Sequence, residues 1–218
     1  MVSNPSWQFW VDRGGTFTDV VGRSPNGTVH ALKLLSYIPG RYEDATVPGI
    51  RALLDREGAA GAAISEVRVG TTVATNALLE RRGARTVLVT NAGLGDALAI
   101  GTQERPHLFR RQIELPLPLY ERVIECAGRV AVDGYEIEPL AESTLRLALQ
   151  NAHTAGYDSV AIVFLHGWQH TEHERRAAAI AKAVGFSAVA VSHEVSPTQG
   201  YIARGQTTAA DAYLAVLV

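Results

Sequence analysis

Cysteine occurs once in the 218 residues, at Cys126, so no intramolecular disulfide can form and a reducing compartment is the expected setting. Nothing in Glu125-Cys126-Ala127 marks that thiol as a nucleophile. The N-terminus has no basic region followed by an apolar run, and no apolar stretch is long enough to cross a bilayer. Neither export nor membrane insertion is therefore expected, and the chain reads as cytoplasmic. Charge of one sign is also missing. The net charge is -2, which offers no electrostatic case for nucleic acid or an anionic membrane. Lysine is nearly absent, standing only at Lys33 and Lys182. Repeats, linkers and low-complexity tracts are absent as well. With 47% hydrophobic and 19% charged residues, the chain has enough apolar material for a sizeable core.

The pattern of that material changes along the chain. Gln8 to Val11, Thr18 to Val21 and Val29 to Leu35 read as strands. Ser24-Pro25-Asn26-Gly27 is a tight-turn signal that makes the second and third an antiparallel hairpin. Helices and strands then alternate. Asp44 to Glu57 reads as a helix with Ile50, Leu53 and Leu54 on one face. Val67 to Val69 reads as a strand, Thr72 to Arg82 as a helix stopped by Gly83, and Thr86 to Thr90 as a buried strand. Residues 101–134 form an irregular excursion ending in a strand or two between Glu121 and Val132. Pro139 to Ala155 and Thr171 to Val184 read as helices, with strands at Ser159 to Leu165 and Ala188 to Val191. Thr207 to Val218 begins a helix without a cap. The expected organisation is an α/β domain over 1–192 and, over 193–218, the start of a following lobe that is cut short.

Strands alternating with helices after an antiparallel start, with a glycine loop between the first two strands, point to an actin-like (ribonuclease H-like) ATPase lobe with a mixed sheet. A Rossmann-type fold would require a helix directly after the first loop. That loop, Asp12-Arg13-Gly14-Gly15-Thr16-Phe17-Thr18-Asp19, is the most informative segment. A strand ending in Asp12 can present a carboxylate to Mg²⁺ beside a polyphosphate. Gly14 and Gly15 let the backbone approach phosphate oxygens, and Thr16 and Thr18 add hydroxyl donors. The same residues also make an ordinary hairpin turn. Arg13 suits a phosphate, or a surface pair with Asp12 or Asp19.

Residues 11–20 resemble the phosphate motif of the hydantoinase A/5-oxoprolinase family. Arg13 resembles the 5-oxoprolinase branch, since hydantoinases usually carry an aliphatic residue there. Further matches follow in order: Leu32 to Ser36, Val69 to Arg81, Ile100 to Gln103 with Arg105 and Pro106, Tyr120 to Val123, His173 to Arg176, and Ser192 to Pro197. Two stretches depart from the family pattern, His166-Gly167-Trp168 and Gln199 to Ile202 before Arg204.

The resemblance implies ATP-dependent opening of a cyclic amide, with 5-oxo-L-proline as substrate, ATP and Mg²⁺ as cofactors, and Asp12 as the Mg²⁺ residue. It implies a phosphate cradle of Arg13, Gly14, Gly15, Thr16 and Thr18, and a second polar wall of Gly70, Thr71 and Thr72, with Asp12 and Thr72 at the reacting centre. It also implies further lobes or a partner subunit, and a homo-oligomer. A hydantoin ring, a ketone carboxylation or a catalytically silent nucleotide module are the alternatives.

On residue grounds alone, Thr72 serves equally as an N-cap, and Asn76 lies one turn further along the same helix. Arg105 suits a substrate carboxylate or a solvated loop. His166, His170 and His173 have a spacing that admits a metal, against the plainer reading of a strand end followed by a helix that Thr171, Glu172 and Glu174 begin. His193 is open in the same way.

Overall fold

The structure, a computed structural model, describes residues 6–103, 109, 111 and 115–217, and the chain divides into two compact units, Met1–Arg82 and Gly83–Val218.

The first unit opens with three consecutive antiparallel strands, β1 (Trp7–Arg13), β2 (Phe17–Arg23) and β3 (Val29–Leu35). The turn between β2 and β3 closes through Gly27 N–H to Ser24 O at 2.9 Å, and Gly27 takes φ +89° as the Asn-Gly signal requires. Helix α1 (Thr46–Arg56) returns the chain to β4 (Ile64–Thr71), which pairs parallel with β1 along its whole length. The sheet order is β3-β2-β1-β4. That pairing explains why β4 is longer than its β-branched core suggests.

Alternation along β1 sends Trp7, Phe9 and Val11 to one face, where Val20 of β2 joins them. The face of α1 that carries Ile50, Leu53 and Leu54 closes this core, as its periodicity implies. Leu53 is fully buried. We expect Leu53→Ala to lower stability by about 2–5 kcal/mol, read from the midpoint of chemical denaturation. Helix α2 (Val73–Glu80) is shorter than its pattern suggests, because Arg81, not Gly83, takes the left-handed conformation that stops it (φ +56°).

The second unit is a parallel sheet in the order β10-β9-β5-β6, with strands β5 (Thr86–Asn91), β6 (Arg122–Cys126), β9 (Ser159–Val163) and β10 (Ala188–Val191). Helices cover both faces, so β5 and β9 are buried throughout. Val87, Val89, Val160 and Ile162 face α4 (Glu142–Thr154) and α5 (Glu172–Val184). Leu88, Ala161 and Val163 face α7 (Tyr201–Leu214). Short elements complete the unit: α3 (Ala97–Ile100), α6 (Ser192–Val195) and a ribbon of β7 (Arg129–Val130) with β8 (Glu136–Glu138).

Three boundaries differ from the sequence pattern. Helix α4 starts after Pro139 rather than at it, because Ala141 N–H is drawn to Ala127 O at 3.0 Å. Strand β9 ends at Val163, since the backbone of Phe164 and Leu165 bonds side chains instead. Helix α7 begins at Tyr201, ahead of Thr207, with Gly200 in extended conformation before it. Residues 193–218, read as the start of a following lobe, lie within the second unit, where Ala209 and Ala212 join its core.

Charges are also buried there, beyond the ends of β9 and β10. Glu174 Oε1 accepts from Phe164 N–H at 2.8 Å and Ser192 O–H at 2.6 Å, while Oε2 accepts from His193 N–H at 3.1 Å. His193 Nδ1 lies 2.7 Å from the same Oε2. Arg204 donates to Ser192 Oγ, Thr198 O and Phe164 O at 2.9, 2.8 and 2.6 Å. Both charged residues have no exposed surface. The departure at Gln199 to Ile202 thus leaves Arg204 fully engaged.

Candidate functional site

Two glycine–threonine motifs, far apart in sequence, end adjacent parallel strands. The register of β1 with β4 sets Asp12 beside Gly70 and Arg13 beside Thr71. Thr72 N–H and Thr71 O–H both donate to Arg13 O at 3.1 Å, which ties the second motif to the first.

The first motif turns tightly. Gly14 N–H donates to Phe17 O at 3.0 Å, and a Cβ on Gly14 would sit 2.8 Å from that oxygen. The second glycine is constrained from the other motif, since a Cβ on Gly15 would lie 3.1 Å from Asn76 Nδ2. Asn76 of α2 therefore sits against the loop, on the side its helical spacing from Thr72 suggests. Among the described residues, the backbone N–H groups of Gly15 and Thr16 have no acceptor, and both residues are exposed. Successive free N–H groups in a glycine turn make a concavity that suits an anion.

Ser36 braces this loop from behind. Its N–H donates to Thr16 O at 2.9 Å and its hydroxyl to Gly14 O at 2.8 Å. Thr18 is fully buried, with its Oγ1 2.9 Å from Ser36 Oγ. In this arrangement Thr18 holds the loop's shape, while Thr16 faces outward.

Asp12 lies on the face of β1 opposite the core and is exposed. Its antiparallel neighbour Asp19 is neutralised by Lys33 Nζ at 2.8 Å. Its parallel neighbour Gly70 has no side chain, and a Cβ there would meet nothing closer than 3.9 Å. Among the described residues the Asp12 carboxyl has no partner. A carboxylate with space beside it and unused donors nearby fits a hydrated divalent cation next to phosphate oxygens, since Mg²⁺ is commonly held by one or two carboxylates plus the phosphates themselves.

Arg13 pairs with a residue that the sequence reading did not single out. Its Nε lies 3.2 Å from Asp44 Oδ2, yet the N–H is not aimed at that oxygen and makes no hydrogen bond. Asp44 Oδ1 accepts from Thr46 N–H at 2.6 Å, at the start of α1. Burial pushes the Asp44 carboxyl up, but the Thr46 hydrogen bonds and the Arg13 charge outweigh it and hold the group below its usual range. An Asp two residues before a helix's first residue is a capping signal, and it is the one clue to Asp44 in the sequence.

Helix α2 begins at the second motif. Thr72 stands at its N-cap position without a side-chain cap bond, and it is Thr71 Oγ1 that accepts from Val73 N–H at 3.2 Å. Gly70, Thr71 and Thr72 are exposed, so the Thr72 hydroxyl remains available to a ligand.

The matching family model describes the hydantoinase/oxoprolinase N-terminal region and spans residues 8–185. The chain belongs to the hydantoinase/oxoprolinase family, on its 5-oxoprolinase branch. It is 35% identical to the 5-oxoprolinase of Saccharomyces cerevisiae over 95% of its own length, which is 19% of that protein. Among solved structures it resembles the ATP-dependent caprolactamase of Pseudomonas jessenii, with 30% identity and a TM-score of 0.79 over 96% of this chain and 32% of that one. An acetone carboxylase in its nucleotide-free form shares the fold at 22% identity, with a TM-score of 0.83 over 98% of this chain and 33% of that one. The chain thus spans about a fifth of the length of the yeast 5-oxoprolinase and about a third of the two solved relatives.

The remaining candidates are Arg105, from the family pattern, and the three histidines, from their spacing. Arg105 lies outside the described residues. His170 Nε2 lies 2.9 Å from Val132 O, and His173 Nε2 lies 2.6 Å from Glu136 Oε1. His166 occupies a left-handed turn (φ +59°). Among the described residues no group of three or more His, Cys, Asp or Glu is arranged to hold a metal. Thr171 precedes α5, and Glu172, His173 and Glu174 lie in its first turn.

Proposed function

We propose that this chain carries the phosphate-binding part of an ATP-dependent cyclic-amide hydrolase that opens 5-oxo-L-proline to L-glutamate. The observation that carries the reading is the meeting of the two Gly-Thr motifs beside the Asp12 carboxyl, which has no partner among the described residues. The strand order β3-β2-β1-β4, with a phosphate-type turn joining β1 to β2, supports an actin-like ATPase lobe. ATP with Mg²⁺, when bound, supplies the phosphoryl group that activates the stable amide oxygen towards water, and the driving force for opening the ring. Asp12 would hold the metal. The free N–H groups of Gly15 and Thr16, with the Thr16 hydroxyl, would hold phosphate oxygens, and Gly14 lets the chain turn closely enough to present them. Thr71 and Thr72 would form the opposite wall and Asn76 would steady the loop and reach substrate.

Binding of the adenosine and ring opening would draw on further lobes or a partner subunit, in a homo-oligomeric cytoplasmic enzyme where ATP is plentiful. The test is ADP release by the whole protein with Mg-ATP and 5-oxo-L-proline, hydantoin, acetone or no addition. Release that depends on 5-oxo-L-proline and is matched by glutamate is the expected result. Dependence on hydantoin or acetone would overturn the substrate assignment, and silence throughout would point to a nucleotide module without chemistry.

A further inference from the structure

We infer that Asp44 is a positioning residue that holds the Arg13 guanidinium in reserve, and that Arg13 exchanges this carboxylate for the terminal phosphate of ATP. The inference rests on the phosphate-binding role proposed for the loop.

Three features of the Arg13–Asp44 contact carry it. The pair is close but poorly made: Nε is 3.2 Å from Asp44 Oδ2, and it is buried without a hydrogen bond among the described residues. A buried donor left without an acceptor is costly, and a better acceptor relieves the cost. The two partners are also held very unequally. Asp44 is anchored through its other oxygen to Thr46 N–H at 2.6 Å, so it stays with α1 when the pair breaks. The backbone of Arg13 is held by the pairing of β1 with β2 and β4 and by the bonds from Thr71 and Thr72 to its carbonyl, so its place in the loop is kept when its side chain leaves Asp44. Finally, the side chains are 31% and 47% exposed, which keeps the pair weak enough to exchange. A planar guanidinium suits the terminal phosphate, where negative charge is greatest.

The arrangement gives the site a preference for the triphosphate. With no terminal phosphate to receive it, Arg13 remains on Asp44 and adds little to binding. The test measures dissociation constants of Mg-ADP and of a non-hydrolysable Mg-ATP analogue on the whole protein. Asp44→Asn keeps an acceptor for Thr46 but removes the competing charge. It is expected to tighten analogue binding by about two- to fivefold, and ADP binding less, a range that corresponds to the usual worth of such a pair. Asp44→Ser, which also retains a cap, should do the same, and Asp44→Glu should restore the wild-type constants. In an Arg13→Gln background Asp44→Asn should have no effect. Unchanged or weaker analogue binding, an equal change for ADP, or an effect that persists without Arg13 would overturn the inference. Wild-type protein that binds neither nucleotide would remove the phosphate-binding reading itself, and the inference with it.

Discussion

Asp12→Asn is expected to reduce ATP turnover by the whole protein about 10²- to 10³-fold while leaving its thermal stability unchanged. The size follows from removing a charge aimed at the reacting phosphates, a loss comparable to that of one preorganised electrostatic contact at a reacting centre. The absence of a stability effect follows from the geometry: Asp12 is exposed and has no partner among the described residues. It also stands opposite Asp19, so removing one of two facing carboxyls relieves repulsion rather than breaking a contact. Surface changes of that kind usually stay within about 0.5 kcal/mol. The decisive comparison is Asp19→Asn. That residue faces Asp12 across the β1–β2 pair but is already tied to Lys33, and turnover should survive its loss within a few-fold. If Asp12→Asn retains full turnover, the carboxyl is not a metal residue and the loop is an ordinary hairpin turn. If Asp12→Asn lowers the melting temperature, the residue belongs to the fold instead.

Much of the first unit was legible because its signals are local. The Asn-Gly turn, the apolar stripe of Ile50, Leu53 and Leu54, and the glycines after Asp12 each declare themselves within a few residues. What could not be read from residue pattern alone was the meeting of the loop with Gly70 to Asn76. It depends on parallel pairing of strands separated by a helix, and parallel pairing leaves no adjacent turn to mark it. Asp44 stayed hidden for a related reason. The stretch between β3 and α1 has no periodicity, so nothing there reports which distant residue its carboxyl will meet. The surface pairs expected for Arg13 are with Asp12 and Asp19, whereas strand alternation puts those two facing each other and Arg13 on the other side of β1. In the second unit, β8 escaped notice because all its residues are exposed and leave no burial pattern. The apolar pattern starts α7 only at Thr207 because Arg204, polar by type, is one of its buried residues.

That buried arginine leads to the largest stability effect. Arg204→Met is expected to lower the stability of the chain by about 3–5 kcal/mol in chemical denaturation, because it strips one partner from a buried charge cluster. Glu174 would keep its donors from Phe164 and His193, but its negative charge would lose the cation that balances it. The buried Phe164 carbonyl would keep only the Gly167 N–H at 3.1 Å, and the carbonyl of the exposed Thr198 would turn to solvent. Apolar packing of the methionine recovers a little of this, since it replaces much of the arginine stem. The cluster joins the end of β9 to α5, α6 and α7, so its failure is expected to loosen the segment from Ser192 to Thr208 first. Hydrogen exchange at those amides should rise before the sheet strands respond. The double variant Glu174→Gln/Arg204→Met removes both charges, and it should be less destabilised than the sum of its single variants by about 1–3 kcal/mol. Strict additivity would mean that the two charges do not sense each other. Arg204 would then be held by its three hydrogen bonds alone.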